Sequence, residues 1–262
     1  MSLRVLRRAV ALVFALGLCM ARYWALRLRG PLSMERRVRW LQRSAKGVLT
    51  SLGIHYTVEG EPATHGLVVS NHLSYLDILI IFAAMPCFFV AKVEIGKWPF
   101  FGWAARMGGT IFLNRSSLSS AMSVAEQMVE RLKLPIPVLL FPEGTSTDGS
   151  EVLPFHPRLI DPATSTGAPI TAAAVRYELE GGMEEQELCW FGDVEFLPHM
   201  LKTLNAPGFS ARLRFGKPEV FTDRRAAADT TRAEIVAMRE AWHCGAKQEE
   251  LQTVQECCRS TS

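Results

Sequence analysis

Short apolar runs, each too brief for a helix, alternate along this chain with longer stretches of helical spacing, and that alternation constrains the fold more than any other feature. Gly66–Ser70, Cys87–Ala91, Thr110–Leu113, Pro137–Phe141 and Ile170–Val175 are runs of four to six residues dominated by Val, Ile, Leu, Ala and Phe. They lack the polar alternation of a half-exposed strand, so they are expected as strands buried on both faces. Between them, Ile78–Ala84 and Pro99–Met107 are expected as helices, and so is Ser117–Lys133, whose Leu118, Met122, Ala125, Val129 and Leu132 share one face. Ile54–Glu59 alternates as an edge strand does, Leu188–Phe191 and Ala211–Phe215 are expected as further edge strands, and Thr230–Trp242 as a C-terminal helix. Strands separated by helices imply an α/β fold with a largely parallel sheet flanked by helices. Ligands of such sheets bind where the strands end at their carboxyl side.

Two polar turns leave strands at such ends. Asn71-His72-Leu73-Ser74-Tyr75-Leu76-Asp77 follows the Gly66–Ser70 run and precedes an apolar helix. A histidine with a carboxylate five positions on is a candidate general base with its orienting partner. Within one helix, positions i and i+5 diverge by about 140°. The pair can therefore meet only if His72 lies in the turn before the helix and Asp77 in its first turn. Ser74 followed by Asp77 also fits a capping box, a purely structural use of the same carboxylate. The second turn, Phe141-Pro142-Glu143-Gly144-Thr145-Ser146, leaves the Pro137–Phe141 strand.

An apolar fraction of 48% with 21% charge excludes a disordered chain. The charge is unevenly spread: residues 1–46 carry eleven lysines and arginines against Glu35 alone, which leaves an acidic body. Within that basic leader, Ala9–Ala21 is apolar and bracketed by Arg7-Arg8 and Arg22. A spanning helix needs roughly 20 apolar residues, and a shorter run suits an interfacial or signal segment. No small-residue cleavage site follows the run, whereas Tyr23 and Trp24 suit a headgroup layer and the arginines suit anionic lipid. Residues 1–46 are accordingly expected to be a retained membrane-associated helical anchor, lying in one leaflet or barely spanning, and residues 47–262 the globular domain. So long an apolar run argues against nucleic acid as the partner. The six cysteines show no metal-ligand or disulfide spacing, so no metal is expected, and the domain is expected to face the cytoplasm.

With both turns in view, the chain resembles the glycerolipid acyltransferase family, which contains the 1-acylglycerol-3-phosphate acyltransferases. The resemblance rests on Asn-His-x4-Asp at residues 71–77, on Ala91-Lys92-Val93-Glu94 with Trp98–Gly102 and Gly108–Arg115, on Phe-Pro-Glu-Gly-Thr at residues 141–145, and on Pro169-Ile170. It covers roughly residues 66–175. It implies that His72 is the base and Asp77 its orienting carboxylate. Glu143, Gly144 and Thr145 then meet the acceptor, and Lys92 and Arg115 an anionic headgroup. It also implies a thioester donor, acyl carrier protein or coenzyme A, with no other cofactor, a lysolipid acceptor, and a cytoplasm-facing domain on a bacterial inner membrane.

Phosphatidic acid synthesis is the first reading of the product. The sequence departs from the family at Ser146, where arginine is commonest. It has Pro154-Phe155-His156-Pro157-Arg158 where Lys-Lys-Gly often stands. Around Ser146 and around Cys189-Trp190-Phe191-Gly192-Asp193 it looks similar to acyltransferases acting on lyso-ornithine lipid, the alternative acceptor. A hydrolase using Ser74 would be expected to show a Gly-x-Ser-x-Gly elbow, which the chain lacks, and a non-catalytic lipid binder would be expected to lose His72 or Asp77.

Overall fold

The computed structural model describes residues 2–114, 118–179 and 183–260, with the backbone alone described at 118–121 and 243–260. Among the described residues there are seven strands, β1 (His55–Glu59), β2 (Leu67–Ser70), β3 (Phe88–Lys92), β4 (Ile111–Leu113), β5 (Val138–Leu140), β6 (Ile170–Leu179) and β7 (Phe209–Phe215). They form one sheet in the order β1-β7-β6-β2-β5-β3-β4. β6, β2, β5, β3 and β4 run parallel, whereas β7 is antiparallel to β6 and parallel to β1. The largely parallel sheet flanked by helices is therefore present, with two strands reversed along one side.

Apolar layers cover both faces. One packs α2 (Met34–Leu52), α3 (Tyr75–Ala84) and part of α7 (Phe196–Asn205) against the sheet, with α4 (Phe101–Gly108) lying on α2; the other packs α5 (Leu118–Leu132), α6 (Pro157–Thr166) and α8 (Arg224–Ser260). α3 is apolar on every side, and Leu76, Ile80, Ile81, Phe82 and Ala83 are buried. A helix of that kind belongs inside the protein, and it carries Asp77 in with it.

Ile54–Glu59 supplies the edge strand its alternation indicated, but Ala211–Phe215 does not lie at an edge. β7 is flanked by β1 and β6, and its alternation arises because Ala211, Leu213 and Phe215 enter one core layer while Arg212 and Arg214 pair with Glu59 on the other face. Leu188–Phe191 is not a strand. A 3-10 turn, Glu185–Leu188, runs into a loop whose Trp190 N–H donates to Leu73 O at 2.8 Å, so its backbone serves the His72 turn instead of a ladder.

α1 (Leu3–Arg27) extends well past the apolar run and is long and apolar enough to cross a membrane by length and composition. Val5, Arg8, Cys19 and Tyr23 are buried along one side, while Leu6, Val10, Val13, Phe14 and Trp24 are exposed. Arg8 donates to the carbonyls of Leu204 and Ala206 at 3.1 and 2.6 Å, fastening α1 to the end of α7. α2, capped by Ser33 and by Gly53 at φ 69°, continues unbroken through residue 46. The boundary drawn there falls inside a helix whose Val38, Ala45, Val48 and Leu49 belong to the core.

Candidate active site

β2 ends at Ser70, and Asn71 then stands in for one further strand residue. Its carboxamide accepts from Val175 N at 2.8 Å and donates to Val175 O at 3.1 Å, satisfying β6 where the ladder stops. The chain turns at His72 and enters α3 with Ser74 at the N-cap, so Asp77 occupies the third helical position. The His–Asp pair meets in the one arrangement its spacing permits. His72 Nδ1–H donates to Asp77 Oδ2 at 2.8 Å, which fixes the tautomer and leaves the Nε2 lone pair for a substrate. The same oxygen accepts from the backbone amides of Leu73 at 2.7 Å and Ser74 at 2.9 Å. One Asp77 oxygen thus meets both the imidazole and the backbone at the start of α3. Phe141 stacks on the imidazole with centroids 4.1 Å apart and planes 8° apart, closing one face of the ring.

The second turn meets the first from behind. Glu143 was expected to face the acceptor, but it is buried and both its oxygens are engaged: Oε1 accepts from His72 N at 2.7 Å and Oε2 from Leu153 N at 2.8 Å. Burial pushes this carboxyl up to about 7, against the pull of the Leu153 and His72 amides. Gly144 takes φ 76°, which lets the chain turn sharply after Glu143. Thr145 is exposed beside it. Thr147 N donates to His72 O at 2.9 Å, so both backbone groups of His72 are held by this loop.

Lys92 ends β3 on the same edge, half-exposed, 3.9 Å from Glu94. Arg115 lies outside the described residues. Sequence reasoning did not foresee that Ser146 and Trp190 meet: the Ser146 hydroxyl donates to Trp190 O while Trp190 N donates to Leu73 O. Nor did it foresee Tyr177 on β6, whose hydroxyl donates to Asp77 Oδ1.

Beside the turn lies an apolar cavity of about 110 Å³, walled by Leu16 and Cys19 of α1, Leu41 and Val48 of α2, Leu79 of α3 and Phe89 of β3. Phe89 meets Phe141 edge-on at 5.6 Å, so two aromatic rings separate this cavity from the imidazole.

A histidine–carboxylate pair at the carboxyl edge of a parallel sheet, next to an apolar cavity, is an arrangement suited to general-base chemistry. Residues 54–176 match the Acyltransferase family. A lyso-ornithine lipid O-acyltransferase of Pseudomonas aeruginosa is 32% identical over 225 residues, which is 82% of this chain and 85% of that protein. Another, from Rhodobacter capsulatus, is 37% identical over 159 residues, spanning 59% of this chain and little more than half, 57%, of its own length. The crystal structure of the 1-acyl-sn-glycerophosphate (LPA) acyltransferase from Thermotoga maritima superposes with a TM-score of 0.69 at 21% identity, covering 92% of this chain and 95% of that one, and shows the same fold. The chain belongs to the acyltransferase family.

Proposed function

We propose that this protein moves a fatty acyl group from a thioester to the free hydroxyl of a lysolipid, with lyso-ornithine lipid as its acceptor. The thioester is carried by acyl carrier protein or coenzyme A. His72 Nε2 takes the hydroxyl proton as the oxygen attacks the thioester carbonyl carbon. When the tetrahedral intermediate collapses, the carbon–sulfur bond breaks and the proton passes from His72 to the departing thiolate. Asp77 holds the imidazole in the required tautomer and offsets its charge while it carries the proton. The cavity beside Phe89 accommodates acyl chain, each buried methylene contributing about 0.8 kcal/mol.

The observation that carries the acceptor assignment is the contact between Ser146 and Trp190. The two stretches that look similar to lyso-ornithine lipid acyltransferases form one unit over the His72 turn. A serine bonded to a carbonyl occupies the position from which an arginine would reach a phosphate dianion. The zwitterionic ornithine headgroup does not need that cation. The second reading is 1-acylglycerol-3-phosphate as acceptor, favoured by Lys92 on the same edge; Arg158, exposed in the first turn of α6, could supply a further cation.

In this reading α1 rests in a bilayer with its exposed apolar side, and the domain faces the cytoplasm. Arg36, Arg39, Arg43 and Lys46 form an exposed line along α2. Each cation at an anionic surface contributes about 1 kcal/mol.

The test is acyl transfer in vesicles to lyso-ornithine lipid and, separately, to lysophosphatidate, with the protein and its His72→Ala variant. Turnover of lyso-ornithine lipid that vanishes in the variant is expected. Turnover of lysophosphatidate alone would move the acceptor to the second reading, and a fully active variant would remove the mechanism.

A further inference from the structure

Tyr177 is the first residue beyond the matched family region, stands 100 positions from Asp77 in sequence, and is 1% exposed. Its hydroxyl donates to Asp77 Oδ1, the oxygen that His72 does not use. We propose that Tyr177 is a positioning residue for acyl transfer, acting through Asp77, and that the C-terminal helix holds it in place. The proposal rests on the assignment of His72 and Asp77 made above.

Asp77 is a rotor unless both ends are held. The Leu73 and Ser74 amides and the imidazole all gather on Oδ2. Tyr177 supplies the bond to Oδ1, and with it the plane of the carboxylate is fixed facing Nδ1. Burial first, then the neighbouring Asp77, Cys189 and Glu185, push the Tyr177 hydroxyl well above its ordinary range, so it stays a donor at every working pH.

Tyr177 is itself clamped. Its N–H donates to Glu185 Oε1 at 2.8 Å. Glu185 pairs at 2.7 Å with Arg239 of α8, which is 4% exposed. Arg239 also donates to Val175 O at 2.5 Å, the carbonyl that Asn71 holds, and to Gly149 O at 2.8 Å beyond the Glu143 turn. One guanidinium thus joins α8 to β6 and to the loop beyond Glu143, and through Tyr177 and Asn71 to the His72 turn. The charged and titratable groups around Asp77 and Tyr177 are His72, Glu143, Cys189, Glu185 and Arg239.

Tyr177→Phe keeps the ring in the core and removes only the hydroxyl. We expect kcat for lysolipid acylation to fall about ten- to a hundredfold, with KM for acceptor and donor unchanged and the acid limb of the rate profile moved to higher pH. An Asp77 with one donor fewer holds a proton, and the imidazolium beside it, more tightly. In an Asp77→Asn background the same change should cost nothing further. Wild-type kcat and profile in Tyr177→Phe, or losses that multiply in the double variant, would overturn the proposal while leaving His72 in its role. A fully active His72→Ala would instead overturn the underlying assignment. Should Tyr177→Phe fail to fold, 3-fluorotyrosine placed at position 177 keeps ring and hydroxyl and strengthens the donor. The acid limb then moves to lower pH, and an unmoved limb overturns the proposal.

Discussion

Two buried carboxylates hold His72, and they hold it differently. Asp77, at the start of α3, meets the ring and accepts from four donors: His72 Nδ1, two backbone amides and Tyr177. Glu143, in the turn after β5, meets the backbone and accepts from two amides only. A buried carboxylate keeps its charge in proportion to the donors that replace its water. With two, Glu143 is driven up to about 7 and stands between its charged and neutral forms near neutrality. Asp77 meets the imidazole together with the amides at the start of α3, while Glu143 reaches the backbone amide of His72 itself.

The largest effect should come from the ring side. Asp77→Asn offers Nδ1 an amide in place of a charge, and kcat should drop on the order of 10³–10⁴-fold, with the acceptor KM little changed in steady-state assays. A variant within tenfold of wild type would remove the distinction drawn here.

The backbone side should respond less in rate and more in pH-dependent stability. Glu143→Gln turns one acceptor into an NH2 facing a backbone N–H, and at pH 5 should cost about 1–3 kcal/mol with a tenfold or greater loss of kcat. Because the Glu143 carboxyl is raised in the fold, from 4.5 to about 7, the native state keeps a proton that the unfolded chain has lost. Stability must therefore fall as pH climbs through that window, and the buried charge is fully carried above it. Glutamine does not titrate, so the gap between variant and wild type should narrow from pH 5 to pH 8 in thermal melts. A constant gap would show that Glu143 is ionised throughout.

Phe141→Leu removes the stacked ring while leaving both carboxylates in place. A stacking contribution of about 0.5–1.5 kcal/mol predicts a loss of a few-fold in kcat. Lys92→Ala should be smallest, with kcat within about twofold, because a half-exposed pair 3.9 Å apart contributes little.

Local pattern exposed the parallel strands, the His72 turn and the apolar α3, because each is written in consecutive residues. α2 was hidden: its core positions Val38, Ala45, Val48 and Leu49 sit among arginines that drew the segment toward the anchor. α6 carries Pro157 and Pro162, and α7 carries Pro198, residues that argue against helix when read alone. Leu188–Phe191 had the composition of a strand, but the partner of its backbone was the His72 turn, which no window of sequence contains. Glu143 was legible as part of a polar turn, yet not as a carboxylate that holds the His72 backbone from behind. Tyr177 and Arg239 left no local trace, since their meaning lies in contacts across 100 and 64 positions.

α1 turns Leu16 and Cys19 onto the cavity, while Phe14 and Leu18, a fraction of a turn away, face outward. Along this side a single helix about 10 Å thick therefore lies between the apolar cavity and the outer apolar surface. Any change that tilts or slides that helix would alter the cavity wall and the outer apolar face together, two dials on one shaft.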